Sequence, residues 1–292
     1  MDAPLSPIER FVFRDRDFYV KRDDLIDPLL SGNKFRKLYS LIQTPAEQYR
    51  EVLSYGGTQS NAMLSIAALC QQKGWEFHYT CKSVPEHLKA NPSGNFKQSL
   101  ALGMQLHEVG HEAYEEAILK LRSEVKPSTL FVPQGGSDPI AETGINMLAS
   151  EISQWQQEQG IGRLNVVTPS GTGTTAFYLA HAMPAATTLT TPSVGDSDYL
   201  IRQMELLGEL PSNLRILEHE KRYHFAKPYA EFLAIYDELK EAGIAFDLIY
   251  AAKMWLTLLQ NIEVIEGVIL YVHSGGLPGN ETMLERYQHK GM

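Results

Sequence analysis

Glycines and threonines that suit a phosphate group follow one of the apolar runs in the sequence. The segment PSGTGTT (169–175) comes directly after LNVVT (164–168) and precedes a helix predicted to begin near Ala176. Backbone N–H groups at the glycines, the threonine hydroxyls and the positive end of that helix together favour phosphate binding. Gly171 and Gly173 have neither a following Gly-Lys-Ser/Thr nor a third glycine, so this is neither a Walker loop nor a GxGxxG fingerprint. It predicts a phosphate cradle, and a flexible strand-to-helix turn is the simpler alternative.

A lysine that can act as a nucleophile follows a tight turn in SGNKFRK (31–37), just before a predicted helix that reaches Ile42. A lysine at such a place is ordinarily a solvated cation. Gly32 and Asn33 mark a turn that can direct the Lys34 side chain inward. An amine that is desolvated and close to other cations has a lowered pKa and can attack an aldehyde. Lys34 is therefore a candidate nucleophile.

A second pair of polar residues stands at the end of a predicted strand, in YGGTQSN (55–61), where an amphipathic helix is predicted to begin. Ser60 and Asn61, together with the positive end of that helix, predict a pocket for a carboxylate. In the simpler interpretation, Ser60 is only the N-cap of the helix.

Short apolar runs that alternate with segments of helical period must position these residues. The runs are EVLSY (51–55), EFHYTC (76–81), TLFVP (129–133), LNVVT (164–168) and GVILYVH (267–273). This alternation predicts βαβ units and mostly parallel sheets. Glycine-rich turns follow several of the runs, at the place where open α/β sheets bind their ligands. Because four such turns meet in one cleft only if two sheets face each other, we expect a two-lobed ligand-binding enzyme.

The composition of the 292 residues limits the possible partners. The chain has 26 Lys and Arg against 35 Asp and Glu, for a formal charge of −9, and it contains no basic run, so nucleic acid is an unexpected partner. No segment reaches the roughly 20 apolar residues that span a bilayer, and the first residues lack the pattern of a secretion signal. We therefore expect a cytoplasmic protein without a membrane partner. Cys70 and Cys81 lie outside any CxxC spacing, and no metal site is predicted.

A series of segments, in order along the chain, resembles the motifs of fold-type II pyridoxal-phosphate enzymes, specifically the D-cysteine desulfhydrase and 1-aminocyclopropane-1-carboxylate deaminase family. SGNKFRKLYSL resembles GGNKxRKLE, YGGTQSN resembles GGxQSN, and PSGTGTT resembles the family's phosphate loop. Further matching segments are FYVKRDDL (18–25), SGNFKQSLALG (93–103), VPQGGSDPIAETG (132–144), DLIYAAK (247–253) and YVHSGGLPG (271–279).

The resemblance implies an α/β fold of two lobes, each a mostly parallel twisted sheet flanked by helices. The large cofactor-binding lobe would comprise residues 1–38 and 149–292, and the small lobe residues 39–148. The resemblance also implies pyridoxal 5'-phosphate as the cofactor and a small amino acid as the substrate. A homodimer is the default expectation for an enzyme of this kind.

Each site residue takes its implied role from its own matching position. Lys34 would carry the cofactor as a Schiff base and later move the α-proton of the substrate. Tyr250 would lie over the substrate as an acid, a base or a positioning hydroxyl. The other implied roles are the substrate carboxylate for Ser60, Asn61 and the neighbouring Gln59, the cofactor for Asn61 and Ser274, and the phosphate for Thr172, Gly173, Thr174 and Thr175.

The sequence departs from the family pattern at positions that bear on the substrate. In the family, the residue at position 251 contacts the pyridine nitrogen of the cofactor and is glutamate in the deaminases or threonine in the desulfhydrases. Here it is Ala251, and Ser274 is the candidate to make that contact instead. Ser274 itself stands where the deaminases have leucine and the desulfhydrases threonine. Ala62 replaces a hydrogen-bonding His or Gln. The segment at 225–239 is short, which leaves Tyr229 as the candidate for a second active-site tyrosine.

These features lead to one expected reaction and two alternatives. We expect β-elimination of D-cysteine to pyruvate, sulfide and ammonia. Ring opening of 1-aminocyclopropane-1-carboxylate, to 2-oxobutanoate and ammonia, is the alternative within the class. A protein that binds the cofactor with little or no catalysis is the alternative from another class, because of Ala62 and Ala251. A nicotinamide dehydrogenase is disfavoured, since no complete GxGxxG is present.

Overall fold

The computed structural model describes residues 6–30, 32–123, 125–136 and 139–292. Ser31 of the lysine turn, and Ser137 and Asp138 of the PQGGSD turn, lie outside the described residues. The strands are β1 (Ile8–Phe13), β2 (Arg16–Lys21), β3 (Glu51–Tyr55), β4 (Glu76–Lys82), β5 (Met104–Val109), β6 (Thr129–Val132), β7 (Leu164–Val167), β8 (Thr187–Thr190), β9 (Leu214–Ile216) and β10 (Val268–Val272). The helices are α1 (Asn33–Lys37), α2 (Tyr39–Gln43), α3 (Asn61–Lys73), α4 (Glu86–Ala90), α5 (Gly94–Ala101), α6 (Tyr114–Ser123), α7 (Glu142–Glu158), α8 (Thr174–Ala182), α9 (Ser197–Glu205), α10 (Ala230–Glu241), α11 (Ala251–Gln260) and α12 (Gly279–His289). Within this described part of the chain, every helix falls short of a membrane-spanning segment in length or apolar character.

Six strands form the larger sheet, in the order β1-β2-β10-β7-β8-β9. β1 and β2 are an antiparallel hairpin, and the other neighbouring pairs are parallel. The hairpin turn places Arg14 and Asp15 at φ 48° and 57°, the left-handed pair that suits a two-residue hairpin. β7 is buried along its whole length and β10 along nearly all of it, as expected for central parallel strands that are covered on both faces.

Four parallel strands form the smaller sheet, in the order β5-β4-β3-β6. Its central helix, α3, buries nine consecutive residues from Ala62 to Cys70. The prediction that this helix is amphipathic was therefore wrong. α3 packs against β4, α1 and α5 at once, and a helix that is covered on all sides is apolar all round.

The apolar runs of the sequence correspond to strands of the two sheets. EVLSY is β3, and the runs predicted at 76–81, 129–133, 164–168 and 267–273 each agree with a strand to within one residue at either end. The predicted α/β fold with mostly parallel sheets in two lobes is confirmed. Runs of this kind identify strands because parallel strands are buried on both faces and need apolar side chains throughout.

The two sheets draw on different parts of the chain. The smaller sheet uses strands between residues 51 and 132, whereas the larger uses strands at 8–21 and 164–272. The lobe boundaries at 38/39 and 148/149 stay a prediction. The second of them falls inside α7, which is one continuous helix.

Candidate active site

The loop after β7 leads into α8 as a cradle of backbone groups. Gly173 adopts φ 78° at the N-cap of α8, and a Cβ there would lie 2.3 Å from the Cγ atom of Met204, so only glycine fits. The helix begins at Thr174, two residues before the predicted start, because Gly173 ends the loop and Thr174 and Thr175 already belong to the first turn. The first N–H groups of a helix have no partner within it, and they therefore suit an anion.

The threonine hydroxyls of this loop are also suited to a ligand. The hydroxyl oxygens of Thr172 and Thr174 lie 3.0 Å apart. The Thr175 hydroxyl is buried and has no hydrogen-bond partner among the described residues. Because a buried polar atom without a partner costs about 1–3 kcal/mol, a phosphate acceptor explains this hydroxyl better than a purely structural role.

Lys34 lies in α1, directly after the tight turn at Gly32. Its side chain is partly buried, and its amine donates to Oδ1 of Asn33 at 2.9 Å. Burial lowers the pKa of Lys34 to about 8, and the carboxylate of Asp247 opposes that shift. At neutral pH a much larger fraction of this amine is unprotonated than for an exposed lysine, which makes it a nucleophile.

A buried ion network anchors the short helix that carries Lys34. The guanidinium of Arg36 lies 2.9 Å from Asp23 and 2.7 Å from Glu151 of α7, and the amine of Lys21 lies 2.5 Å from Glu151. The helix predicted to run to Ile42 is instead the two short helices α1 and α2, which meet at Leu38. A helix as short as α1 is unstable alone, so the network fixes the place of Lys34.

Lys37 is a second buried amine, which the sequence interpretation did not single out. Its Nζ donates to the carbonyl oxygen of Gly135 at 3.1 Å, and a Cβ at Gly135 would lie 3.5 Å from Cγ2 of Thr172. Burial, with a contribution from nearby Lys34, holds the pKa of Lys37 well below its ordinary value. The Lys37 amine thus contacts a glycine that packs against Thr172 of the loop after β7. Its three-residue spacing from Lys34 on a predicted helix was the signal that could have identified it.

Ser60 caps α3 and also faces a buried tyrosine. Its hydroxyl oxygen accepts from the backbone N–H of Met63 at 3.3 Å, as the simpler interpretation of this residue predicts. The same hydroxyl is hydrogen-bonded to the hydroxyl of Tyr79, whose pKa burial raises. Tyr79 therefore stays protonated near neutral pH. Its role as the cap of α3 does not prevent Ser60 from binding a carboxylate. Binding of the substrate carboxylate by Ser60 stays a prediction.

Gln59 and Asn61, on either side of Ser60, are held by Asn95 of α5. The Asn95 side-chain NH₂ donates to Oδ1 of Asn61 at 2.8 Å and to the backbone oxygen of Gln59 at 3.1 Å. The Gln59 side chain accepts from the backbone N–H of Asn95 at 3.0 Å and donates to the backbone oxygen of Ser93 at 3.1 Å. The amide of Gln59 is thus engaged with α5, and its predicted contact with substrate stays a prediction.

Tyr250 lies over the phosphate loop at the N-cap of α11. A Cβ at Gly171 would lie 3.4 Å from Cε1 of the Tyr250 ring. The Asp247 carboxylate, another group absent from the sequence predictions, fixes this turn by accepting from the backbone N–H groups of Ile249, Tyr250 and Ala251 at 3.1, 2.6 and 3.2 Å. Burial raises the pKa of Tyr250, and Asp247 raises it further. Its hydroxyl is therefore a proton donor at neutral pH.

Ser274 lies in the turn after β10, against the lysine turn. Its backbone oxygen accepts from the N–H of Asn33 at 3.1 Å, and a Cβ at Gly32 would lie 2.1 Å from that oxygen. The Ser274 hydroxyl is buried and, among the described residues, has no hydrogen-bond partner. Like the hydroxyl of Thr175, it is available to a ligand.

The predicted second tyrosine, Tyr229, is engaged elsewhere. Its hydroxyl accepts from the N–H of His224 at 3.0 Å, and its ring packs against Phe232. The structure brings Phe225 to Tyr250 instead, with ring centroids 5.6 Å apart, and Phe225 is 45% exposed. Phe225 was not identified from the sequence, and a substrate contact by Tyr229 stays a prediction.

Together these groups fit a phosphorylated aromatic aldehyde. The Lys34 amine can condense with an aldehyde. The loop from Thr172 to Thr175, with Lys37, suits a phosphate. The buried hydroxyl of Ser274 suits a ring heteroatom. Pyridoxal 5'-phosphate carries all three groups.

Comparisons with known proteins lead to the same cofactor. Residues 2–195 match the family described as pyridoxal-phosphate dependent enzyme. A protein of Thermotoga maritima named "Putative 1-aminocyclopropane-1-carboxylate deaminase" is 27% identical over 285 residues, which cover 90% of this chain and 89% of the relative. A D-cysteine desulfhydrase of Serratia proteamaculans is 26% identical over 321 residues, which cover 94% and 92%.

Solved structures share the fold. A protein described as an ACC deaminase homologue has a TM-score of 0.76 at 24% identity, covering 97% of this chain and 94% of that chain. The processed form of a threonine deaminase from Solanum lycopersicum has a TM-score of 0.64 at 14% identity, covering 97% and 88%. These likenesses confirm the predicted fold. Because the family match extends over most of the chain, the chain belongs to the pyridoxal-phosphate dependent enzymes, and pyridoxal phosphate is its cofactor.

Proposed function

We propose that this chain is a deaminating lyase for a small amino acid, with β-elimination of D-cysteine to pyruvate, sulfide and ammonia as its main reaction. The observation that carries the proposal is the Lys34 amine, whose pKa burial lowers to about 8, in a cleft with a phosphate loop and a protonated tyrosine. The relative named D-cysteine desulfhydrase supports the choice of substrate.

The cofactor would be held at three points. Lys34 would bind its aldehyde carbon, and the buried hydroxyl of Ser274 would meet its ring nitrogen. The groups proposed for the phosphate are Lys37, Thr172, Gly173, Thr174 and Thr175. When bound, pyridoxal phosphate supplies a ring that withdraws electrons from the α-carbon of the substrate.

The substrate carboxylate would lie at the start of α3. The N-terminus of this 13-residue helix favours an anion, and the hydroxyl of Ser60 is already placed there by its bond to Met63. Asn61 begins the helix and adds an amide. A carboxylate bound at this point would turn the α-carbon of the substrate toward Lys34.

Lys34 would move the proton at the α-carbon. An amine with a pKa near 8 is a base of suitable strength near neutral pH. In the β-elimination, the Cα–H bond breaks with its proton passing to Lys34. The Cβ–S bond breaks with its electron pair leaving on the thiolate. Water then releases ammonia as the three-carbon product becomes pyruvate.

Tyr250 would act as a donor rather than as a base. Burial and the Asp247 carboxylate raise its pKa above the ordinary value, so the hydroxyl keeps its proton. Its ring packs over Gly171, which supports a position for its hydroxyl on the cofactor side of the cleft. From there it can hold a polar group of the substrate or give a proton to a departing one.

β-Elimination makes smaller demands on this site than ring opening does. The cyclopropane acid has no α-proton, so its ring must be opened by an added nucleophile or by direct protonation. That route depends more on the electron-withdrawing ring and on extra positioned groups. Ala251 supplies no acidic partner for the ring nitrogen, and Phe225, which has no hydroxyl, is the side chain that contacts Tyr250. Both features favour the thiol substrate.

The test compares kcat/KM for D-cysteine and for 1-aminocyclopropane-1-carboxylate at saturating pyridoxal phosphate. We expect D-cysteine to be preferred by about tenfold or more, which corresponds to about 1.4 kcal/mol of transition-state free energy. L-Cysteine serves as the stereochemical control, and Lys34→Ala should lose turnover of every substrate. A higher value for the cyclopropane acid would favour the activity named for the Thermotoga relative. If neither D-cysteine nor the cyclopropane acid is turned over, the result favours a protein that binds the cofactor with little or no catalysis.

A further inference from the structure

Asn95 is a fully buried amide that touches two of the proposed site residues. It lies in the first turn of α5, more than 30 residues after Gln59 and Asn61 in the sequence. Its NH₂ group donates to both, at 3.1 Å to the backbone oxygen of Gln59 and at 2.8 Å to the side-chain oxygen of Asn61. Its own Oδ1 is buried and, in the described chain, has no hydrogen-bond partner.

The partners of Asn95 decide which way its amide faces. The backbone oxygen of Gln59 can only accept, so the Asn95 atom beside it must be the nitrogen. The reverse orientation would place two oxygens 3.1 Å apart. This argument settles the amide orientation from the hydrogen-bond network, as such assignments require. It also explains why the orphaned Oδ1 of Asn95 is tolerated, since the other orientation would lose the bond to Gln59 and place two oxygens together.

The orientation of Asn95 in turn fixes that of Asn61. The second N–H of Asn95 points at Asn61, whose facing atom must therefore be its oxygen. The Asn61 NH₂ group is left on the opposite side, toward the turn after β10. A Cβ at Gly276 would lie 2.6 Å from Nδ2 of Asn61, and a Cβ at Gly279 would lie 3.4 Å from its Oδ1. The same Cβ at Gly276 would lie 3.7 Å from Cβ of Asp247, whose carboxylate acts on Lys34, so the donor end of Asn61 is on the Lys34 side of the site.

We propose that Asn95 is a positioning residue that holds Asn61 as a hydrogen-bond donor toward the bound cofactor. This inference rests on the proposed function, in which Lys34 carries pyridoxal phosphate and Asn61 contacts it. A donor in this place would meet an electronegative oxygen on the cofactor, whereas the oxygen of a reversed Asn61 would repel it. The chain of amides from Gln59 to Asn95 to Asn61 therefore sets the polarity of one wall of the site.

Asn95→Asp is the substitution that separates this role from packing. The two side chains have nearly the same shape, but a carboxylate has no N–H to donate. It would repel the backbone oxygen of Gln59 and attract the NH₂ group of Asn61, which would turn the Asn61 oxygen toward the cleft. A residue that only fills space would tolerate this change, apart from a loss of stability.

The experiment measures the dissociation constant of pyridoxal phosphate and the pH midpoint of the visible band of the holoenzyme. We expect Asn95→Asp to weaken cofactor binding by about tenfold or more, as expected for a lost hydrogen bond plus a repulsive contact, and to shift the pH midpoint. Ser99→Ala is the matched control, because it removes a buried side-chain bond to the backbone oxygen of Asn95 on the same helix without touching Asn61. It should leave both quantities unchanged.

A double substitution makes the test decisive. If Asn95 acts through Asn61, adding Asn95→Asp to Asn61→Ala should have no further effect on cofactor affinity. If the effects of the two substitutions on the dissociation constant multiply, the proposal is overturned. An Asn95→Asp protein with the cofactor affinity and pH midpoint of the unmodified chain would also overturn it. Asn95→Ser replaces the aspartate variant if the latter does not fold, with the same expected loss. The proposed function fails on a different result. It fails if the unmodified chain forms no visible absorption band with pyridoxal phosphate, or if Lys34→Ala keeps that band.

Discussion

The two sides of the cleft differ in how tightly their residues are fixed. On the cofactor side, Gly32 and Gly173 have no room for even a methyl group, with other atoms 2.1 and 2.3 Å from the place of a Cβ. On the other side is Phe225, whose position we call the mouth of the cleft. Its side chain is 45% exposed and contacts Tyr250 only through the two rings. On the cofactor side, a side chain at position 32 would collide with the backbone of Ser274, and one at position 173 would collide with Met204 and require a left-handed φ of 78°. The mouth depends on side chains that can change alone, and we infer that substrate choice is set there.

The replacement at Ala251 belongs to the fixed side. Its side chain is buried in the apolar core that contains Phe246 and Trp255, and its backbone N–H is bound by Asp247. A longer acidic residue would therefore disturb packing as well as add charge. Ala251 is thus built into the core, as is Ala62, whereas the side chain of Phe225 is 45% exposed.

The largest expected effect is on the cofactor side. Lys34→Ala should abolish covalent attachment of pyridoxal phosphate and all turnover, because the amine that binds the aldehyde is gone. Borohydride reduction of the unmodified holoenzyme, followed by peptide mapping, should place the label on Lys34. Lys37 and Lys253 are also buried amines and serve as internal controls. A label on either of them would contradict the assignment.

The phosphate loop should give the next largest effect. Replacing Thr174 and Thr175 by valine keeps the side-chain shape but removes hydroxyls, one of which has no partner among the described residues. Each charge-assisted hydrogen bond that is lost is worth about 1.5–3 kcal/mol, so the dissociation constant should rise about tenfold or more per residue. Thr257→Val, which removes an equally buried hydroxyl from α11, is the control. Unchanged affinity in the double variant would show that these hydroxyls do not bind the phosphate.

The pKa of Lys34 predicts how cofactor capture depends on pH. Only the unprotonated amine attacks the aldehyde, so the capture rate should rise about tenfold per pH unit below about 8 and level off above it. Asp247→Asn removes the carboxylate that opposes the shift and should move the midpoint to lower pH. Stopped-flow absorbance of the apoprotein mixed with pyridoxal phosphate gives the rates. A midpoint near the ordinary lysine value of 10.5 would mean that the amine is not desolvated.

The smallest effect is expected at the mouth. Phe225→Ala should leave the affinity for pyridoxal phosphate unchanged but alter KM for D-cysteine by about two- to tenfold, the range of one aromatic contact. Phe225→Tyr keeps the ring and adds a hydroxyl beside Tyr250, so it should narrow the preference for D-cysteine over the cyclopropane acid. Steady-state kinetics with both substrates measure these changes. A loss of cofactor affinity in Phe225→Ala would break the contrast between the two sides.

The sequence was most informative where local patterns decide the structure. Strand positions followed from apolar runs, and the phosphate loop from its glycines and threonines. The start of α8 was misplaced because Thr174 and Thr175 are typical of turns, and only the left-handed Gly173 shows where the loop ends. The ion pairs of Arg36 with Asp23 and Glu151 join residues that are 13 and 115 positions apart, which no local pattern contains.

The residues that sequence reasoning missed act through distant partners. Asn95 was noted only as part of a motif, since its bond to Asn61 spans 34 residues. Asp247 acts by accepting backbone N–H groups, a role that many buried carboxylates share. Phe225 lies in a segment that contains little regular structure, and the course of this segment brings it into contact with Tyr250. Such roles depend on three-dimensional proximity, which a single sequence does not record.

The position of β10 has a consequence for the biosynthesis of the protein. This strand follows the other strands of the described chain, yet it lies between β2 and β7 in the middle of the larger sheet. A nascent chain on the ribosome therefore cannot complete the centre of that sheet, or bring Ser274 against the lysine turn, until β10 has been synthesised. Pairing over so many residues is slow to form. Capture of the cofactor at a site that Ser274 completes must accordingly follow the synthesis of β10, long after Lys34 has emerged.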